Sequence, residues 1–373
     1  NTRLQVEHPV TELITGQDLV ELMIKVAANE ELPFSQDDVK LNGWALEARI
    51  YAEDPFRNFL PSIGRLVRYQ SPKETRHVRV DTGVTEGGEI SIYYDPMIAK
   101  LITFGADRTE AIKHMRTALD SYYIRGVNHN IGFLSALIAH SRFQSGNITT
   151  NFIAEEYPDG FHPQDLPAED PIIQVIVATS IHYAHQQRAA SISGQVAGHG
   201  RQVDDTWVVV TRDGHQPVTV RKITDGYSVI VDGTTHEFQT DWQPGEPLLR
   251  GNLVGDKNLV IQVERKNIAY RLTHGGSQDD VLVLSPAHAE LNALMPVKEP
   301  PDTSKLLLSP MPGLLISLAV AEGQAVKAGE ELAVIEAMKM ENVLRAERDA
   351  VVSSIKATTG ESLMVDQVIM DFE

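Results

Sequence analysis

The chain has 373 residues, long enough for two or three domains, and 42% of them are hydrophobic, so cores can be built and wholesale disorder is excluded. Lys and Arg number 33 against 51 Asp and Glu, a net charge of −18 that repels phosphate backbones and argues against nucleic-acid binding. With no cysteine there is no disulfide, thiolate chemistry or cysteine zinc site, and no apolar run reaches the roughly 20 residues of a membrane helix.

The first stretch, Asn1-Thr2-Arg3-Leu4-Gln5-Val6-Glu7-His8-Pro9, alternates polar and apolar residues. It reads as a strand with Asn1, Arg3, Gln5 and Glu7 on one face, Leu4 and Val6 on the other, and Pro9 as its stop. Such a row is an ordinary solvated face or a polar floor for a small anion. A helix follows, with Thr15 as N-cap, Leu19, Leu22, Met23 and Val26 on a packing face, and Asn29 and Pro33 closing it. From Gly43 to Pro55 the chain alternates again, with Glu47, Arg49 and Tyr51 sharing a face. Tyr93 to Ile102 reads as a turn at Asp95-Pro96 and a buried strand. Two helices come next, one carrying Ile112, Met115, Leu119 and Tyr122 on a face, the other running from about Ile131 to Ser141.

Pro163, Pro167 and Pro171 mark a linker. Ile172 to Ala184 is apolar nearly all round, as a helix enclosed by protein must be. His182 and His185 on it are a metal pair or, more commonly, core residues. Eight short strands then recur: Trp207 to Thr211, Val218 to Ile223, Tyr227 to Val231, His236 to Thr240, Leu248 to Leu253, Leu259 to Arg265, Ile268 to Thr273 and Val281 to Leu284. Asp213-Gly214, Asp225-Gly226 and Asp232-Gly233 are hairpin signals, and Gly275-Gly276 is a turn rather than a phosphate cradle. The expected structure is an antiparallel barrel around the helix.

Pro296, Pro300 and Pro301 form a stiff linker. Beyond it is a pseudo-repeat: Gly323 and Gly360, 37 positions apart, are both turn glycines, and at that offset Leu314 pairs with Val351, Leu318 with Ile355, Val326 with Leu363 and Leu332 with Ile369. Between the halves, Ile335-Glu336-Ala337-Met338-Lys339-Met340-Glu341-Asn342 reads as two strands with Lys339 at the tip. Most such lysines are simply exposed.

Several of these stretches carry resemblances. Ala337-Met338-Lys339-Met340 is similar to the signature of biotinyl domains, whose lysine a biotin protein ligase modifies; a lipoyl domain is the near rival, but its lysine usually lacks both methionines. Ser309-Pro310-Met311-Pro312-Gly313 is typical of the same fold. Asn1 to Val10 resembles the Asn-Thr-Arg-(Leu/Ile)-Gln-Val-Glu-His motif of biotin carboxylases, a branch of the ATP-grasp enzymes. That resemblance implies a metal role for Asn1, bicarbonate binding for Arg3, a base in Glu7 and a pocket lined by Gln5 and Val6. Arg49, with Ala52-Glu53-Asp54-Pro55 after it, matches the arginine that stabilises the enolate-like biotin. Tyr93 to Ile102 also resembles this family, without an implied role.

The order of parts is that of the biotin-dependent acyl-CoA carboxylase α subunits, and implies an α+β multidomain chain. Residues 1–162 would be the C-terminal lobe of a biotin carboxylase, 170–298 a barrel domain docking a carboxyltransferase β subunit, and 305–373 an all-β flattened-barrel biotinyl domain. The implied cofactors are biotin on Lys339, flanked by Met338 and Met340, and ATP with Mg2+ or Mn2+. The implied substrates are bicarbonate and an acyl-CoA. Propionyl-CoA and 3-methylcrotonyl-CoA are the two candidates, and Ala289 to Gly313 looks like the propionyl type. The expected compartment is a bacterial cytoplasm, or the mitochondrial matrix in a eukaryote.

The chain starts at Asn1, and neither a glycine-rich phosphate loop nor ATP-grasp lysines occur in it. The expectation is a fragment without its N-terminal half and any targeting sequence, inactive alone and by itself only a carrier and docking piece.

Overall fold

The structure is a computed structural model describing residues 3–91, 94–167, 170–253, 257–296, 305–337 and 340–373, with Lys257 and Met340 described in their backbone alone. The segment expected to be the first strand has no strand in residues 3–7; it turns directly into α1, His8–Thr15. Pro9 lies in the first turn of that helix, where its missing N–H costs nothing, so the residue read as a strand stop is a helix start. Helix α2, Leu19–Ala27, is capped by Asp18, whose carboxylate accepts from the Glu21 N–H at 2.8 Å. Thr15 ends α1 instead of opening α2, because Gly16 beyond it takes the left-handed conformation that closes a helix. The α2 face expected to pack is largely open, with Met23 48% and Val26 53% exposed.

Three strands form the sheet of this lobe: β1 Trp44–Tyr51, β2 Val78–Thr82 and β3 Met97–Gly105, in the antiparallel order β1-β3-β2. Asp95 accepts from the Met97 N–H at 2.8 Å, which makes the expected turn into β3. Helix α3, Arg108–Asp120, buries Ala111, Ile112, Met115, Ala118 and Leu119. Tyr122 follows the helix end and is fully buried. Helix α4, Ile131–Ala139, stops short of Ser141 because His140 takes an extended backbone conformation.

Helix α5, Pro171–Ser191, starts on Pro171 and an Asp170 cap, and is longer than its apolar run. Around it closes a barrel of eight antiparallel strands: β4 Thr206–Thr211, β5 Gly214–Ile223, β6 Gly226–Val231, β7 Thr234–Thr240, β8 Leu248–Leu253, β9 Lys257–Lys266, β10 Ala269–His274 and β11 Ser277–Leu284. Val209 pairs with Val283 to shut it, so no edge is left to aggregate. Asp232 (φ 47) and Gly233 (φ 77) both take positive φ, as does the Gly275-Gly276 pair (58 and 89), the geometry tight hairpin turns demand. The buried side of the barrel meets Ile173, Ile176, Val177 and Ile181 of α5 in one core.

The barrel is stitched to the first lobe. Gln262, 3% exposed, donates to the carbonyls of Asp120 and Tyr122 and accepts from Arg125. Arg125 also pairs with Glu264, and Asp120 accepts from the Gly275 N–H at 2.8 Å.

The last domain has two four-stranded sheets built from β12 Leu306–Leu308, β13 Gly313–Leu318, β14 Ala325–Val326, β15 Glu331–Ala337, β16 Met340–Arg345, β17 Ala350–Ile355, β18 Ser362–Leu363 and β19 Val368–Phe372. The orders are β12-β19-β17-β14 and β16-β15-β13-β18. The pseudo-repeat maps each strand of one sheet onto a strand of the other. It extends to hydrogen bonds: Ala321 N–H donates to Gln324 and Thr358 N–H to Glu361, while Lys327 N–H donates to Glu330 and Met364 N–H to Gln367. Gly323 and Gly360 have φ 80 and 88, and Gly329 and Asp366, also a matched pair, have 85 and 60. Most of the proline linker, 297–304, lies outside the described residues.

Phe238 in β7 is fully buried, and its ring lies where any Cβ on Gly251 would sit, 2.4 Å away. Phe238→Ala should cost the barrel about 3–5 kcal/mol. Urea unfolding in a Trp44→Phe background checks this, since Trp207 and Trp242 are then the reporters and both belong to the barrel core.

Candidate functional site

Two motifs 42 residues apart meet in the first lobe. Arg49 Nη2 lies 3.3 Å from Glu7 Oε2, and its Nε lies 3.4 Å from Glu47 Oε1. Alternation along β1 explains the second contact: Ala48 and Ile50 turn into the core, so Glu47, Arg49 and Tyr51 share the opposite face, as expected. Asn130 holds this strand from the side. Its amide donates to the Arg49 carbonyl at 3.0 Å and accepts from the Tyr51 N–H at 2.9 Å.

Glu7 reaches the pair from a turn. Just before α1, Val10 N–H donates to the Glu7 carbonyl and His8 N–H to the Gln5 carbonyl. The expected polar row on one strand face is therefore not built, because this backbone turns and residues 3–7 join no sheet. Arg3, Gln5 and Glu7 instead line a groove of about 750 Å3 whose far wall is the α2 face. Val6 does not line it; its carbonyl accepts from Lys100 Nζ at 3.3 Å. Asn1, the residue expected at a metal, lies outside the described residues.

Glu47 was not among the expected site residues. Its side chain is only 6% exposed, and burial pushes its carboxyl above the usual range against the opposing pull of Arg49 and Lys100. Lys100, 13% exposed, pairs with Asp81 at 3.2 Å. A charged residue within a strand read as buried was the only sequence sign of it. The arrangement offers a cation for an oxyanion, an exposed carboxylate that can take a proton, and a buried carboxyl behind them.

At the other end of the chain, β15 and β16 pair through Glu336 with Glu341 and Ala337 with Met340. Met338 and Lys339, the two residues between, and the Met340 side chain lie outside the described residues. The support for this hairpin is described. Gly313 crosses it so closely that a Cβ there would lie 2.5 Å from Ile335, and Asn342 donates to the sulfur of buried Met311 at 3.6 Å. Ser309, fully buried, donates to the Met311 carbonyl at 2.7 Å, so the Ser309 to Gly313 segment braces the paired strands on either side of Met338 and Lys339.

His182 and His185, both half-buried, pack against aromatic side chains of the barrel. His182 Nδ1 is 3.2 Å from the Tyr270 hydroxyl and its ring centroid 4.4 Å from that of Trp207, while His185 stacks on Tyr270. No metal-holding group of three or more acidic or imidazole side chains occurs among the described residues, and no helix among them is long and apolar enough to cross a membrane.

Family models match in chain order. The carbamoyl-phosphate synthase L chain ATP-binding domain matches residues 1–35, the biotin carboxylase C-terminal domain 47–155, the propionyl-coenzyme A carboxylase BT domain 175–298 and the biotin-requiring enzyme domain 305–372. The chain is 50% identical over its whole length to the propionyl-CoA carboxylase α chain of Ruegeria pomeroyi, of which it covers 58%, and 42% identical to the human mitochondrial one, of which it covers 52%. It thus spans a little over half the length of these relatives. A crystal structure of the Hydrogenobacter thermophilus 2-oxoglutarate carboxylase biotin carboxylase domain, with MgADP, ADP and bicarbonate, is 42% identical at TM-score 0.42, covering 46% of this chain and 36% of that one.

Burial lowers the His182 imidazole from its ordinary value near 6.5 to about 4. The folded value lies below the unfolded one, so the unfolded chain takes the proton first, and this contribution is lost as pH falls from 6.5 toward 4. Replacing it, as His182→Gln, should remove about 2 kcal/mol of the barrel's acid-side loss, measured by urea unfolding at pH 7 and pH 4.5.

Proposed function

We propose that this chain, which belongs to the propionyl-CoA carboxylase α-chain family, is the part of such a subunit that combines the bicarbonate-handling lobe, the docking barrel and the biotin carrier. The observation that carries this reading is the meeting of Glu7 and Arg49 from two separate family motifs.

In the proposed mechanism Arg3 contributes its guanidinium to bind bicarbonate in a bidentate fashion. Glu7, more than half exposed, accepts the bicarbonate proton. Arg49, held by Glu47 and Glu7, would place its guanidinium against the ureido oxygen of a biotin bound there. Gln5 lines the same groove as Arg3 and orients the substrate there. Asn1 is the residue the motif assigns to the metal of ATP.

The hairpin fits a covalently attached biotin: a two-residue connection between paired strand ends, braced from below by Gly313, Met311 and Ser309. Biotin attached at Lys339 supplies a ureido nitrogen that takes up a carboxyl group and releases it again. The carrier domain braces the strands that flank Lys339, and the proline linker would set its effective concentration at two separated sites. The barrel gives the chain an edge-free platform for a carboxyltransferase β subunit, which would hold the acyl-CoA. Propionyl-CoA is the acyl substrate we favour, from the Ala289 to Gly313 segment and the identities above.

The test uses the intact α chain containing this sequence, with its β subunit, and follows ATP-dependent transfer of radiolabelled bicarbonate to propionyl-CoA, 3-methylcrotonyl-CoA and acetyl-CoA. Preferred labelling of propionyl-CoA is expected; labelling of 3-methylcrotonyl-CoA alone would change the substrate and keep the chemistry. Lys339→Arg should abolish avidin capture. Arg49→Ala should keep capture and lower fixation about 100-fold. Full fixation by Arg49→Ala would overturn the site.

A further inference from the structure

Lys100 lies on the strand entered through Asp95-Pro96 and is mostly buried. Strand register places Lys100 directly opposite Arg49 on one side and Asp81 on the other, a row across all three strands of the sheet. Two cations facing each other across neighbouring strands repel, and Lys100 is too buried for water to screen it. The surroundings supply the missing negative charge. Asp81 takes Lys100 at 3.2 Å and Arg79 at 2.8 Å, and Arg79 in turn meets Glu12 of α1 at 2.7 Å. Glu47 and Glu7 face Arg49, with Tyr51 next along the strand. A second observation comes from Glu47, whose Oε2 is buried and has no hydrogen-bond partner among the described residues, so this carboxyl depends on the field of its two cations.

The remaining contact of Lys100 leads to the reacting groups. Its ammonium donates to the Val6 carbonyl at 3.3 Å, one residue before Glu7. Residues 3–7 join no sheet, so this link and the first turn of α1 tie the Glu7 backbone to the lobe.

We propose that Lys100 is a positioning residue: anchored on Asp81, it holds the Val6 carbonyl and so sets the Glu7 carboxylate against the Arg49 guanidinium. This deepens the proposed function and rests on its assignment of Glu7 and Arg49.

The test has two arms. In this chain, labelled with 13C at glutamate carboxyls, Lys100→Met should raise the Glu47 titration midpoint by about one pH unit, and Lys100→Arg should restore it. In the intact α chain with its β subunit, Lys100→Met should lower kcat for bicarbonate fixation about tenfold at unchanged KM for ATP, with a displaced pH profile, and Lys100→Arg should recover most of the rate. A folded Lys100→Met with the parent's Glu47 titration, kcat and pH profile would overturn the proposal. If Lys100→Met does not fold, Asp81→Asn decides: a several-fold lower kcat supports the anchor, and a parental kcat and pH profile overturn it. If Glu7→Gln and Arg49→Ala both fix bicarbonate at the parent rate, the functional reading fails separately, and the titration arm still decides whether Lys100 controls this cluster.

Discussion

An arginine and a lysine stand opposite each other on adjoining strands of the first lobe, and the sheet tolerates them only because carboxylates surround them. Each of those carboxylates belongs to a different part of the fold. Glu47 shares the Arg49 strand, Asp81 comes from the far edge strand, and Glu7 comes from the turn before α1. Satisfying the charges therefore draws three segments together, and the groove lined by Arg3, Gln5 and Glu7 opens beside them.

The carrier domain works on a different principle. Among its described residues no charged side chain is buried, and its order comes from repetition. The same side-chain-to-backbone hydrogen bonds recur in both halves, and positive-φ residues recur at matched turns. Two copies of one folding unit build the domain from few residues. The carrier also touches the first lobe: Arg57 donates to Asp366 at 2.8 Å and reaches the Pro310 carbonyl at 3.4 Å. Both partners are substantially exposed, so this pair is worth little and suits a reversible contact.

Between these two, the barrel is held to the first lobe by polar groups with little access to water. Gln262 makes three contacts there while almost wholly buried, and leaving any of its partners unsatisfied would cost more than each bond contributes. That seam makes the lobe and barrel one frame.

The barrel and the carrier were legible in the amino-acid order because their determinants are local. Asp-Gly pairs mark the hairpins, alternation marks the faces, and the 37-position repeat marks both carrier sheets. Arg49, Glu7 and the lysine-bearing hairpin were legible as motifs. The first segment misled, since alternation over seven residues suits a turn as well as a strand, and proline before a hydrophobic run can stop one element or start another. What the sequence by itself determined was the set of parts and their chemistry. Only the tertiary structure decided which groups meet: strand register sets Asp81 beside Lys100, and the turn before α1 brings the Val6 carbonyl to the same ammonium.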